Sequence, residues 1–265
     1  MFTIEELLQP RTLAEAAEML KEYPGIVVLG GCGFLKMGSR HIAKAMDLSK
    51  CALEEIQETE DEVQLGAMTT LYDAEMNPVM QQIGNGIVSR AIGNILGTQF
   101  RRVATIGASV YSKYGFSDIL PALLVLDVEV ELIKNGRMTL REFLDKPVAQ
   151  DVLTRVYIKK QPYCASYQNL RNAGADFPIL NAAVSRRGTQ WTIVVGARPG
   201  KAQIAGGASS ALSAMPFEQM DADAIAQLTS QELTFGSNNK ATAEYRRAMC
   251  EVLVKRAIRE VMSCK

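Results

Sequence analysis

The order of elements in the sequence predicts an α+β chain: a small N-terminal α/β unit, a larger α/β unit, and a C-terminal α+β domain whose sheet is packed by helices. Three observations carry this. A helical stretch runs into a short apolar strand and a glycine cluster inside the first 54 residues. Asn135-Gly136 and Arg187-Gly188 are turn signals between strand-like runs. Two helical patterns, near 222–228 and 241–262, close the chain. The expected division is 1–54, 55–160 and 161–265, the second boundary falling at Gln161-Pro162.

Taken in order, Thr12 and Glu15 have the spacing of a capping box and open a helix with Leu13, Ala16, Ala17 and Leu20 on one face, ended by Tyr23-Pro24-Gly25. Ile26–Leu29 is a short buried strand running straight into Gly30-Gly31-Cys32-Gly33. In the second unit Glu62–Leu65 alternates polar and apolar, Leu71–Met76 reads as a short helix stopped by Pro78, and Asn85–Leu96 is helical in spacing. Val103–Ile106 reads as a strand and Ile119–Leu126 as an apolar helix. Val128–Ile133 and Met138–Leu140 are strands flanking Asn135-Gly136, and Val152–Ile158 is the last strand of the unit. The third unit offers strands near Ser166–Leu170, Ile179–Val184 and Trp191–Gly196. In its final helix Tyr245, Met249, Val252, Leu253 and Val261 form an apolar stripe, read as core or partner surface.

Composition removes several function classes. Lys plus Arg and Asp plus Glu number 29 each, so no net field attracts nucleic acid or an anionic membrane. No apolar run approaches the ~20 residues that span a bilayer, and the N-terminal residues lack a basic region followed by an apolar one. A cytoplasmic protein is expected. The five cysteines (Cys32, Cys51, Cys164, Cys250, Cys264) are scattered, with no C-x-x-C pair, which argues against disulfides, zinc and an iron–sulfur cluster in this chain. His41 is the single histidine and reads as a surface or structural residue. No metal site and no catalytic side chain is expected; if the chain is an enzyme, a bound cofactor is the obvious supplier of its chemistry.

Two glycine loops point to that cofactor. A glycine pair after a buried strand exposes backbone N–H groups where no Cβ blocks an anion. Gly30-Gly31-Cys32-Gly33-Phe34-Leu35 has this form, but counting from Gly31 the sixth position is Lys36, so the G-x-G-x-x-G dinucleotide fingerprint is not met. Val103-Ala-Thr-Ile-Gly107-Ala108-Ser109 is a second instance, with Thr105 and Ser109 as hydroxyl donors and Arg101 and Arg102 adding positive charge just upstream. Each loop alone also reads as an ordinary tight turn.

Taken with three further segments, these loops resemble the FAD-binding medium subunit of the molybdenum hydroxylases, the xanthine dehydrogenase and carbon monoxide dehydrogenase family. The resemblance runs through Leu29-Gly30-Gly31-Cys32, Leu65-Gly66-Ala67-Met68-Thr69-Thr70, Gln99 to Ser109, Ser117-Asp118-Ile119-Leu120-Pro121-Ala122-Leu123, and Arg171 to Asp176 with one extra residue. It implies a two-part FAD-binding domain followed by a C-terminal domain. The FAD pyrophosphate would lie on Gly30–Leu35 (Gly30, Gly31, Cys32, Gly33, Phe34, Leu35), next to Leu29, and on Thr105, Ile106, Gly107, Ala108 and Ser109. Thr69 and Arg101 join the cofactor-binding set. Asp118 would bond ribityl or ribose hydroxyls, its other reading being an N-cap, and Asp176 and Leu180 would approach the isoalloxazine ring. Cys32, Gly33, Ala108 and Ser109 depart from the family pattern, and Ala108 requires a negative φ.

The same resemblance implies partners: a molybdopterin-binding large subunit, a 2Fe-2S small subunit, and NAD or another electron acceptor. The chain would relay electrons through FAD. A flavin-free assembly subunit and a stand-alone FAD-dependent reductase or oxidase are the competing expectations.

Overall fold

The computed structural model describes residues 1–147 and 150–264. Its strands are β1 Thr3–Leu8, β2 Val27–Leu29, β3 His41–Asp47, β4 Ile56–Glu58, β5 Glu62–Gly66, β6 Val128–Leu132, β7 Gly136–Thr139, β8 Leu153–Lys159, β9 Cys164–Leu170, β10 Leu180–Arg187, β11 Gln190–Gly196 and β12 Gln203–Ile204. The helices are α1 Leu13–Glu22, α2 Leu71–Met76, α3 Ile87–Gly93, α4 Thr98–Arg101, α5 Ile106–Tyr111, α6 Ile119–Leu124, α7 Leu140–Asp145, α8 Gly206–Ala214, α9 Ala222–Glu232 and α10 Ala243–Met262. Residues 1–74, 97–112 and 128–159 make one compact unit; 75–96, 113–127 and 160–265 make the other. No helix among the described residues is long and apolar enough to cross a membrane.

The first unit holds two sheets. A three-stranded parallel sheet has the order β1-β3-β2, and a five-stranded antiparallel sheet the order β4-β5-β8-β6-β7. Strands β1 and β3 escape sequence reading because their signal is charge pairing more than alternation. Glu6 lies opposite Lys44 in the ladder and pairs with it, and His41 accepts or donates at 2.9 Å to both Thr3 and Glu5. His41 is thus the exposed structural residue expected. In the larger sheet the near-buried Glu62 receives Arg137 at 2.7 Å and Lys159 at 2.6 Å, while the Arg137 guanidinium stacks on Tyr157 at 3.8 Å.

The second unit is the antiparallel sheet β12-β11-β10-β9 packed by helices, as the sequence predicted. Alternate residues Leu180, Ala182 and Val184 of β10 and Trp191, Ile193 and Val195 of β11 meet α8, α9 and α10 in one core. The apolar stripe of α10 differs from the expected one. Its buried face is Arg246, Cys250, Leu253, Val254, Ala257, Ile258 and Val261, and Tyr245 is exposed. Arg246 sits in that face because its guanidinium bonds the carbonyls of Ile179, Gly236 and Ala241 and the Asn238 side chain, all within 2.9 Å.

Two other expectations change. Leu140, expected in a strand, begins α7, where Thr139 and Glu142 form a complete capping box. Val103–Ile106, expected as a strand, is a turn continuing α4. Val103 and Ala104 donate to the Phe100 carbonyl, Thr105 makes a single bridge to Thr70, and α5 starts at Ile106. β-branched composition loses here to the cap that Thr105 provides, its Oγ1 accepting from the Ala108 amide.

Candidate functional site

Within the first unit the two glycine loops lie directly against each other. A Cβ on Gly30 would stand 2.7 Å from the Ala108 Cβ and 2.9 Å from the Thr105 hydroxyl. On Gly31, whose φ is +66°, it would fall 1.9 Å from the Val103 carbonyl oxygen. Gly107 approaches Ala67 as closely, at 2.6 Å. The missing side chains therefore serve loop-to-loop packing first, which sequence reasoning had assigned to anion approach.

The loops differ in what they can offer a ligand. In the second, the amides are already committed: Ile106 donates to the Thr69 carbonyl, Gly107 to Ala67, Ala108 to the Thr105 hydroxyl and Ser109 to the Thr105 carbonyl. The Ser109 hydroxyl also donates to that carbonyl, at 2.8 Å. In the first, the amides of Gly31, Cys32 and Gly33 meet no acceptor among the described residues. Three successive N–H groups are thus left uncommitted, two of them on residues with positive φ (Gly31 at +66° and Cys32 at +54°).

The side chains of this loop mostly face inward. Cys32 and Leu35 pack against Leu29, Ile42 and Ala45, and burial pushes the Cys32 thiol above its usual value. Cys32 is a packing residue, leaving Phe34 exposed. Ala108 lies inside α5 with negative φ, so its replacement of glycine is unstrained. Thr69 is fully buried; its hydroxyl donates to the Glu54 carbonyl and its own carbonyl holds Ile106. It acts by fixing the start of α5 and presents no group outward. Arg101 is partly exposed at the end of α4, and the Arg102 guanidinium stacks on Tyr72 at 3.9 Å.

A cavity of about 290 Å³ opens where the loops meet, lined by Val28, Leu29, Gly30, Thr105, Gly107, Ala108, Tyr111, Ser112 and neighbours. Its walls are largely apolar. Sequence reasoning missed Val28, Tyr111 and Ser112, although Tyr111 and Ser112 follow directly on the second loop. The free amides for an anion beside an apolar recess for a planar group are the donor set a dinucleotide such as FAD requires, so the residues present fit that cofactor.

In the second unit Asp118 is 6% exposed and accepts from the Tyr167 hydroxyl at 2.5 Å and from Arg171 at 2.6 Å. Burial raises its carboxyl above the ordinary range, opposed by Arg171 and Tyr167; burial and the adjacent carboxylate push the Tyr167 phenol well up. Asp118 stands at the N-cap position of α6 but its carboxylate does not cap the helix; the Ser117 hydroxyl accepts from the Leu120 amide instead. Arg171 also bonds the Asn94 and Asp176 carbonyls at 2.6 and 3.0 Å, so the arginine-to-aspartate spacing seen in the sequence is a physical clamp. The Asp176 carboxylate receives Lys240, whose charge holds its pKa below the usual value. Leu180 is fully buried in the core of this unit. Tyr167 and Asn181, which bonds Tyr167 at 3.2 Å, are network members that sequence reasoning passed over.

Residues 2–160 match the family described as the FAD binding domain in molybdopterin dehydrogenase, and 165–261 match the CO dehydrogenase flavoprotein C-terminal domain. The chain belongs to this family. As a member it is an FAD-binding oxidoreductase subunit of the molybdenum hydroxylase type. The nicotine 6-hydroxylase medium subunit of Paenarthrobacter nicotinovorans is 24% identical over 270 residues, covering 95% of each chain. The fold is shared with solved members at similar distance. Quinoline 2-oxidoreductase from Pseudomonas putida 86 superposes with a TM-score of 0.86 at 18% identity, covering 98% of this chain and 97% of that one. Reconstituted CO dehydrogenase from Oligotropha carboxidovorans gives 0.87 at 20%, covering 98% of both.

Proposed function

We propose that this chain is the electron-relay subunit of a three-part cytoplasmic hydroxylase, accepting electrons from a 2Fe-2S partner and delivering them to NAD or another acceptor, while a molybdopterin-binding partner oxidises the substrate. The observation that carries the reading is the run of uncommitted amides at Gly31, Cys32 and Gly33 beside the 290 Å³ cavity. When bound, FAD supplies a redox centre that takes electrons singly or in pairs. The family relatives named for hydroxylation of nicotine and for CO dehydrogenation support the division of labour.

In this proposal the Gly31–Gly33 amides hold the pyrophosphate, Arg101 adds positive charge, and the cavity takes one end of the dinucleotide. Its volume lies at the small end of ligand sites, too little for the whole of FAD. Thr105, Ile106, Gly107, Ala108 and Ser109 shape the recess and hold the first loop in place. Asp118 serves as a positioning residue that orients Arg171 and Tyr167. The split at residues 54 and 160 remains the proposed domain division.

The test is a visible spectrum of the purified chain after incubation with FAD and desalting. The wild type is expected to retain a flavin band, and Ser112→Phe, which fills the cavity, to lose at least tenfold in FAD affinity at unchanged circular dichroism. A colourless wild type would favour the flavin-free assembly subunit; equal retention by the variant would remove the cavity from the assignment.

A further inference from the structure

Outside the flavin site, two cysteines a hundred positions apart in sequence meet within the second unit. Cys164 is the first residue of β9, and Cys264 lies just past Ser263, the residue that caps the end of α10. The two thiols are neighbours, the Cys164 sulfur lying close enough to act on the Cys264 thiol. Both are partly exposed and unpaired by a disulfide. Each sulfur also has a donor beside it: the Asn85 side-chain amide reaches Cys264 Sγ at 2.9 Å, and Arg186 Nη2 stands 4.0 Å from Cys164 Sγ. Nearby N–H groups and a guanidinium stabilise a thiolate, the reactive form. Burial and, after it, the neighbouring thiol act the other way on Cys264, raising its pKa and slowing its oxidation.

We propose that Cys164 and Cys264 are a redox modification site, forming a reversible disulfide under hydroperoxides that ties the end of α10 to the start of β9. In the first step one thiolate attacks a peroxide oxygen, the O–O bond breaks, and a sulfenic acid forms as one water leaves with the proton. In the second the other thiolate attacks that sulfur, the S–S bond forms, and the hydroxyl departs as a second water. Two sulfurs together give up two electrons and the peroxide takes them. Closing a loop this long restricts the unfolded chain strongly, so the oxidised protein gains thermal stability. Among the remaining cysteines, Cys250 is fully buried, with its thiol pushed up to about 12, and does not compete.

The full chain is exposed to hydrogen peroxide, blocked with N-ethylmaleimide and digested with trypsin under non-reducing conditions. Peptide 161–171, containing Cys164, is expected joined to peptide 260–265, containing Cys264, and released by dithiothreitol. Cys164→Ser is expected to abolish the linked species and leave Cys264 as a sulfenic acid trapped by dimedone. The oxidised wild type should melt at higher temperature than the reduced form, a difference lost in the variant. Both thiols recovered as separate maleimide adducts or sulfinic acids, or linked to Cys32 or Cys51 instead, would overturn the assignment.

Discussion

Neighbouring residues in the first loop carry opposite backbone requirements. Gly31 is held at φ +66° with the Val103 carbonyl where a Cβ would be, so no side chain is tolerated there. Cys32 adopts φ +54° with a side chain present, a conformation that costs a non-glycine residue about 1 kcal/mol. Gly31→Ala is therefore expected to destabilise the protein by roughly 3 kcal/mol or more, since the contact is with backbone that cannot swing away. Cys32→Gly is expected to be neutral or to stabilise by about 0.5 kcal/mol, relief of strain being partly offset by greater freedom in the unfolded chain. Urea unfolding of both variants checks the pair; equal losses would show that strain at Cys32 is not what the backbone indicates. The sequence exposed these positions as a glycine cluster but not which residue was indispensable. That depended on Val103, 72 positions further along the chain, and on a segment misread as a strand. Asp118 shows the same limit: its chemistry depends on Tyr167 and Arg171, which no local pattern pairs with it.

At the level of elements, one cap built from adjacent residues was legible, two more at Thr105 and Thr139 were hidden in segments that read as strands, and a cap built from a distant residue was not legible at all. Thr12 opens α1 as expected, its hydroxyl accepting from the Glu15 amide. Helix α8 was missed because it begins Gly206-Gly207-Ala208, a poor helix start, and its first amides are received by the Glu232 carboxylate at the end of α9, at 3.0 and 2.9 Å. A carboxylate at a helix start also meets its favourable dipole end. Glu232→Ala is expected to cost about 1–2 kcal/mol, seen as a lower urea midpoint, while Glu232→Asp recovers only part because the shorter chain reaches one amide. The five-stranded sheet makes a separate prediction in acid. Arg137 and, after it, Lys159 lower the Glu62 carboxyl from 4.5 to about 2 in the folded state. A depressed carboxylate contributes stability in full above its unfolded value and loses it as pH falls from about 4.5 toward 2. With both cations about a third exposed, solvent screening reduces the contribution to about 1–2 kcal/mol. Glu62→Gln should flatten the stability curve between pH 4.5 and 2 relative to wild type. An unchanged slope would mean the ion pairs do not report on folding.

On the scale of the whole chain, sequence order and compact units do not coincide, and this explains why the architecture was readable while the packing was not. The family boundary near residue 160 is visible as Gln161-Pro162, and the α+β pattern with its helix-packed last sheet follows from periodicity. Yet residues 75–96 and 113–127 belong by contact to the second unit. They carry α3 and α6, whose residues Ile87, Val88, Ala91, Ile92, Ile119, Leu120, Ala122 and Leu123 are at most about 1% exposed. Within that unit α6 packs on β10 and β11, and α3 on β9. Nothing in the periodicity of α3 or α6 distinguishes packing on a following sheet from packing on a preceding one. The consequence is testable by truncation. A fragment of residues 1–160 contains the entire match to the FAD binding domain but removes the strands that cover α3 and α6. The buried apolar residues of both helices would then face water, and an exposed patch of that kind drives association. The fragment is therefore expected to be insoluble, or soluble with strong hydrophobic-dye binding and without a cooperative unfolding transition. Adding back 161–265 in trans should restore solubility by covering the helices, whereas adding FAD alone should not. A fragment 1–160 that unfolds cooperatively and remains monomeric would show that the first match folds without the sheet of β9 to β12.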